Sequence, residues 1–209
     1  MDAAHAVLAF AVAAGLLTIT PGLDTALVLR TAAVEGPRRA MQAAFGIGLG
    51  CLAWGAAASV GLGALLAASR IAYDALRLAG ALYILWLGGR MVVAAFRPAQ
   101  AATTAVAPNP ATHSWLLRGF LTNILNPKVG VFYVTFLPLF IPAQVSVTAF
   151  SMLLTSIHVA EGLGWFWLLT SALRPLAKWM ARSSVTRALD GITGSVLLAF
   201  GVRLFFERR

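Results

Sequence analysis

Thr20-Pro21-Gly22-Leu23-Asp24 is a helix-breaking stretch inside a long apolar run, and Leu125-Asn126-Pro127-Lys128 is a second one past the middle of the chain. Proline is unfavourable inside a helix because it lacks an N–H group and its ring clashes with the preceding turn. The two prolines lie 106 residues apart in a chain of 209, so the breaks occupy corresponding places in two halves. Each break also carries an ionisable residue in apolar surroundings. We interpret them as the two halves of one substrate site.

The composition indicates an integral membrane protein. The chain is 60% hydrophobic and only 11% charged, with a mean hydropathy of +0.84. Soluble domains carry roughly 25% charged residues, so this chain cannot build a water-facing surface. A membrane-spanning helix needs about 20 residues, which gives room for six spans and for no sizeable soluble domain.

Six spans are predicted at about residues 3–29, 40–67, 75–96, 116–140, 145–173 and 189–206, with the first and fourth broken at the two prolines. A Pro- and Ala-rich linker, residues 97–113, separates a first three-helix repeat (1–96) from a second (114–209) within one membrane domain. Because each half has an odd number of spans, the second half must be inverted. Inverted repeats with broken helices are typical of secondary transporters.

The net charge of +9 is predicted to set topology rather than to bind nucleic acid. Of the 16 basic residues, 14 are Arg placed at the ends of spans, where they anchor to lipid headgroups. Lys and Arg are more frequent after spans 1, 3 and 5 than on the opposite side. The positive-inside rule therefore predicts that both termini are periplasmic and that the linker is cytoplasmic. No basic region precedes the first span, so no cleaved signal peptide is expected.

The two breaks can supply a site for a zwitterion. Thr20 and Asn126 are each predicted to cap a new half-helix that begins with proline. Such N-termini offer free N–H groups and a partial positive charge to an anion. We expect Asp24 to bind an ammonium group, while Lys128 and the half-helix amides bind a carboxylate. The alternatives are a structural Asp24–Lys128 salt bridge and simple proline kinks.

His158 and Glu161 form a second ionisable pair, at i and i+3 on one face of span 5. With Asp24 they are candidates for ion coupling, because a histidine near a carboxylate can titrate around neutral pH. A hydrogen-bonded structural pair is the alternative. Two ligands are too few for a metal site, so no metal or cofactor is predicted. Without a Ser-His-Asp order, paired catalytic carboxylates or CxxC, no enzyme is predicted either.

Several glycines and isolated polar residues are predicted to have structural roles. Gly46 and Gly50 form a small-xxx-small pair, which favours close helix packing in lipid over a nucleotide-binding loop. Cys51 lies in an apolar run and is predicted to be a packing residue. Arg77 and Asp190 are predicted to be charges at loop ends.

Four motifs resemble the LysE/RhtB family of amino-acid exporters. They are the run 20–29, the small-residue-rich span 46–50, the pattern Leu78-Ala79-Gly80…Tyr83…Leu87-Gly88, and Phe120-Leu121-Thr122-Asn123-Ile124-Leu125-Asn126-Pro127-Lys128. The resemblance implies export across the bacterial inner membrane, driven by a proton or ion gradient, in a multi-pass homodimer. Leu23 replaces the family's usual second proline, and the His158/Glu161 pair is not part of its pattern.

The sequence therefore predicts an all-α secondary transporter that exports an amino acid or a small derivative through the lipid bilayer. The candidate substrate-binding residues are Thr20, Pro21, Gly22, Asp24, Asn123, Asn126, Pro127 and Lys128. Two alternatives stay open. One is an exporter of divalent metal cations that uses Asp24, His158 and Glu161, and the other is a non-transporting membrane partner subunit.

Overall fold

The structure is a computed structural model that describes residues 2–68, 78, 81–82, 85–86, 88–93, 95–96, 114–172 and 182–206. These residues form helices joined by short turns, and no strand occurs among them. The all-α prediction is therefore confirmed for this part of the chain. The predicted linker (97–113) and Arg77 lie outside the described residues.

The described helices, in chain order, are α1 (Ala3–Ile19), α2 (Leu23–Glu35), α3 (Pro37–Ala68), α4 (Trp115–Ile124), α5 (Pro127–Val131), α6 (Val147–Trp167) and α7 (Ser183–Phe206). A π-helical turn (Phe132–Phe136) and a 3-10 turn (Leu137–Phe140) continue α5, and a second π-helical turn (Leu168–Ala172) extends α6. Helix α7 begins six residues before the predicted span, since a helix can continue beyond the apolar layer that the sequence pattern detects.

Helices end close to both predicted breaks. Helix α1 stops at Ile19 and α2 starts at Leu23, with a bend of 52° between them. Helix α4 stops at Ile124, and Pro127 begins α5. Among the described residues, two helices are long and apolar enough to cross a membrane, and the bent pair α1–α2 makes a third if it is one span.

Glycine allows α3 and α4 to approach closely. A Cβ added at Gly46 would lie 2.8 Å from the carbonyl carbon of Leu116, and one added at Gly119 would lie 2.8 Å from that of Ala43. Neither position can accept a side chain without moving backbone. The predicted use of Gly46 and Gly50 for close helix packing is therefore confirmed.

The C-terminal helix α7 packs against the helical residues Leu85, Gly88, Val92 and Ala95. A Cβ added at Gly88 would lie 2.8 Å from the Gly194 carbonyl oxygen, and one added at Gly194 would lie 2.7 Å from that of Gly88. This close contact holds the middle of α7 in place, and that part of α7 reaches the break after α1.

An aromatic cluster forms the core between α1 and the turns that follow α5. The ring centroids of Phe10 and Phe132 lie 5.7 Å apart, and those of Phe136 and Phe140 lie 5.0 Å apart. Large apolar side chains also cover the outside of the helices, as expected of a surface in contact with lipid: Leu8, Val12, Phe45, Leu49, Val60, Leu153 and Trp167. Buried Cys51 belongs to the core, as predicted.

Candidate functional site

The first break begins with Thr20, the C-cap of α1, whose side chain is buried. Its hydroxyl donates a 2.6 Å hydrogen bond to the Leu16 carbonyl oxygen and lies 2.6 Å from the Thr193 hydroxyl of α7. The cap of α2 is instead Gly22, which has no side chain to offer. The prediction that Thr20 caps the second half-helix is therefore wrong, because its hydroxyl is already engaged at the end of α1.

The second break has the predicted arrangement. Buried Asn126 is the N-cap of α5, and its Oδ1 accepts a 3.1 Å hydrogen bond from the Lys128 backbone N–H. Pro127 occupies the first helical position, where its missing N–H has no cost. The cap prediction is thus confirmed for Asn126.

Lys128 joins the two breaks. Its Nζ donates hydrogen bonds to the carbonyl oxygens of Thr20 (3.2 Å) and Leu17 (3.4 Å) at the end of α1. These carbonyls have lost their helical partners and lie at the negative end of the helix dipole. No ion pair within 4.0 Å joins Lys128 to Asp24. The alternative of a structural salt bridge between them is therefore wrong.

Asn123 donates a hydrogen bond to only one of the two carboxylate oxygens of Asp24. Asn123 is 0% exposed, and its Nδ2 donates a 2.8 Å hydrogen bond to Asp24 Oδ2. Asp24 Oδ1 and Asn123 Oδ1 are both buried and have no hydrogen-bond partner. Gly50 makes room for this arrangement, because a Cβ there would lie 2.8 Å from the Asn123 Cβ. Two acceptors are thus left for a ligand.

These groups surround one cavity of about 60 Å³. Its polar side chains are Thr18, Thr20, Thr25, Asp24, Asn123, Asn126, Lys128 and His158, and Gly22 adds backbone. Larger apolar side chains complete the wall: Leu17, Ile47, Val159, Leu163 and Phe166. The cavity therefore combines opposite charges with an apolar surface.

The structure separates the His158/Glu161 pair. His158 lines the cavity, and its Nδ1 lies 2.9 Å from the Tyr133 hydroxyl. Glu161 instead faces Gly15 of α1, with its carboxylate oxygens 3.9 and 4.0 Å from a Cβ added there. No hydrogen bond or ion pair joins His158 to Glu161, so the structural-pair alternative is wrong.

Sequence reasoning missed three contributors. Asp190, predicted to be a loop-end charge, lies within α7 in electrostatic range of Lys128. Tyr133 is the hydrogen-bond partner of His158, and Thr193 is that of Thr20. A lone phenol in the apolar run Phe132–Phe136 was the one sequence signal for Tyr133. Nothing in the sequence pointed to Thr193, because its role depends on packing between α1 and α7.

The apolar helices and the cavity lined by oppositely charged side chains define an integral membrane protein with a polar site between its helices. The chain belongs to the LysE type translocator family, which it matches over residues 7–208. It is therefore a membrane transport protein of an export family.

Relatives cover nearly the whole chain. The uncharacterized membrane protein YrhP of Bacillus subtilis is 30% identical over 95% of this chain and 98% of its own length. The threonine efflux protein of Escherichia coli K12 is 28% identical, covering 91% and 92% of the two chains. The leucine efflux protein of Enterobacter sp. is 27% identical, covering 93% and 92%. No solved structure matches the chain.

Proposed function

We propose that this protein is a secondary-active exporter of amino acids or small amino-acid derivatives. The observation that carries the proposal is that two unpartnered buried oxygens, on Asp24 and Asn123, share one cavity with the Lys128 ammonium group. A zwitterionic α-amino acid carries its ammonium and carboxylate groups on the same carbon atom, so a site that binds it needs opposite charges close together.

The acidic end of the cavity suits an ammonium group. Asp24 Oδ1 and Asn123 Oδ1 are acceptors without donors, and leaving such buried groups unsatisfied costs about 1–3 kcal/mol each. An ammonium group has three N–H donors and can satisfy both acceptors at once. Thr18 Oγ1, also buried without a partner, lies in the same wall.

The basic end suits a carboxylate. Lys128 Nζ lies 3.9 Å from a Cβ added at Gly22, the N-cap of the 13-residue helix α2. Because Gly22 has no side chain, the first N–H groups of α2 have no capping acceptor and lie at the positive end of the helix dipole. Helix α2 would thus supply the half-helix amides that we expected at the first break.

The apolar wall formed by Ile47, Val159, Leu163 and Phe166 is suited to an aliphatic or short hydroxylated side chain. Threonine and leucine, which two relatives are named for exporting, are therefore the first substrates to test. Lys128 opposes a divalent cation in the same cavity, since like charges repel in a medium of low dielectric constant. This favours the amino acid over the metal alternative.

The wider transport cycle belongs to the same proposal. Transport is coupled to protons or cations through His158, Glu161 and Asp24. The two three-helix repeats (1–96 and 114–209) are inverted and related by a pseudo-two-fold axis. The protein is a homodimer in the bacterial inner membrane, and its termini are periplasmic. His158 supports coupling, because an imidazole at the cavity can change charge when substrate is present. Alternation between the two halves would then expose the cavity to one side at a time.

Efflux from reconstituted liposomes tests the proposal. Liposomes loaded with labelled L-threonine, L-leucine or a wider panel are compared with and without a pH gradient, using wild type, Asp24→Asn and the control Glu35→Gln, at the C-terminal end of α2 and outside the cavity. Gradient-driven efflux of one substrate class, lost in Asp24→Asn and retained in Glu35→Gln, is expected. The proposal fails if folded, inserted wild type moves no amino acid, or if Asp24→Asn transports normally.

A further inference from the structure

A row of buried hydroxyl groups leads away from the cavity along α6. Ser151, Thr155 and His158 occupy positions i, i+4 and i+7, so they share one face of the helix. Ser151 and Thr155 are both 0% exposed, and His158 is 6% exposed. The three side chains therefore lie in the protein interior rather than against lipid.

The hydroxyls of Ser151 and Thr155 differ from several other hydroxyls of the described residues in their hydrogen bonding. Both are buried without a hydrogen-bond partner. Several other hydroxyls within helices or at a helix end, among the described residues, donate to the carbonyl four residues earlier: Thr20, Thr31, Thr135, Ser156, Thr170 and Ser195. Ser151 and Thr155 thus forgo the usual backbone acceptor, and their hydroxyls remain available to partners in the interior.

Tyr133 connects this row to the cavity. Its hydroxyl lies 2.9 Å from His158 Nδ1 and beside Thr155. Helix α3 closes the opposite side, because a Cβ added at Gly55 would lie 2.7 Å from Thr155 Cγ2. The row is therefore enclosed by protein on the side away from α6.

The distance along α6 from its start to His158 is about half the thickness of the hydrocarbon layer of a membrane. At 1.5 Å per residue, Ser151 lies about 6 Å from the start of α6 at Val147, and His158 lies about 16 Å from it. The hydrocarbon layer is about 30 Å thick. A path from the N-terminal end of α6 to His158 would therefore connect one membrane surface with the middle of the bilayer.

We infer that Ser151, Thr155 and Tyr133 form a water-bridged proton path from the N-terminal end of α6 to His158. The inference rests on the proposed function, to which it adds the route by which the coupling proton reaches the cavity. Each hydroxyl oxygen receives one proton from its neighbour and passes one on. Tyr133 donates to Nδ1 of His158, so the imidazole gains the single net charge.

The charged group close enough to oppose that step is Lys128 of α5, which acts electrostatically on His158. Cys51 of α3 also borders the Tyr133 hydroxyl, and Asp24 of α2 lines the same cavity. Glu161 is one turn away on α6 and faces α1. A substrate carboxylate that engages Lys128 would reduce the repulsion, which links proton entry to substrate binding.

The test separates net transport from exchange in liposomes that contain labelled threonine or leucine. Thr155→Val removes the hydroxyl with little change of shape, Tyr133→Phe interrupts the path beside His158, and Ser156→Ala is the control, since Ser156 is exposed and donates to Met152. Efflux driven by a pH gradient should fall by roughly a hundredfold in both path variants, a typical effect of losing a positioned proton-transfer group. Exchange of labelled for unlabelled substrate needs no net proton movement and should stay near wild type.

The path is refuted if Thr155→Val keeps gradient-driven efflux, or if it loses efflux and exchange equally. If wild type exchanges no amino acid, the proposed function fails and the path is judged separately by NMR of ¹⁵N-histidine-labelled protein. A hydrated path predicts faster exchange of the His158 ring N–H with solvent in wild type than in Thr155→Val. Equal rates would overturn it.

Discussion

The Asn123 side-chain amide donates a 2.8 Å hydrogen bond to the Asp24 carboxylate and so joins α4 to α2 across 99 positions of sequence. Asn123 thereby fixes one carboxylate oxygen and leaves the other buried and unpartnered. A residue that both orients the acidic group and presents its own free oxygen to the cavity should influence affinity as well as folding.

Asn123→Leu keeps the approximate volume but removes the amide. We expect weaker binding of labelled substrate and a lower melting temperature in detergent, because the Asp24 carboxylate loses its donor at a cost of about 1–3 kcal/mol. The exposed Leu121→Ala on the same helix is the control, with a change within about 0.5 kcal/mol expected. Unchanged affinity in Asn123→Leu would show that this amide is not part of the site.

Lys128→Met should break the connection between α5 and the end of α1. The two carbonyls that Lys128 binds would lose their donor, so we expect a lower melting temperature and loss of transport. Exchanging the charges (Asp24→Lys with Lys128→Asp) should rescue neither property, because the two side chains form no ion pair. Rescue of transport by the exchanged pair would contradict this geometry.

Gly50→Ala should be much more damaging than Gly61→Ala on the same helix. A Cβ at position 50 overlaps Asn123, whereas one at position 61 has no atom within 4 Å. Overpacking of this kind costs about 1–3 kcal/mol. Thermal unfolding in detergent measures the difference, and equal melting temperatures for the two variants would refute the close packing.

Thr20 and Thr193 should be energetically coupled. Thr20→Val and Thr193→Val each remove one partner of a buried 2.6 Å contact, so the double variant should be more stable than the sum of the single effects implies, by about 0.5–1.5 kcal/mol. The control cycle combines Thr20→Val with Ser195→Ala, since Ser195 is exposed and its hydroxyl donates a hydrogen bond to the Gly191 carbonyl oxygen. Strict additivity for Thr20 and Thr193 would argue against the contact.

The sequence was sufficient to predict the broken helices, because proline acts locally. Asn126 with Pro127 behaves as its residue types require, and Gly46 packs closely as a small residue in a small-xxx-small pair should. These features depend on a few neighbouring residues, so their consequences can be derived before the fold is known.

The partners of the charged groups could not be predicted from the sequence. Lys128 binds backbone carbonyls more than 100 positions away, and the Thr20 hydroxyl contacts a hydroxyl on α7 instead of capping α2. Both contacts depend on how α1, α5 and α7 pack together. For the same reason, the spacing of His158 and Glu161 placed them on one helix face but did not reveal that they contact different neighbours.

The most direct test of the central claim is equilibrium binding of a zwitterion and of its singly blocked forms to purified protein. L-threonine and L-leucine are each compared with their N-acetyl and carboxamide derivatives, using wild type, Asp24→Asn and Lys128→Met. We predict that Asp24→Asn weakens binding of the free amino acid but not of its N-acetyl form. Lys128→Met should likewise weaken binding of the free amino acid but not of its amide. If each substitution weakens all ligands equally, or none, the cavity does not recognise an amino acid through these two residues.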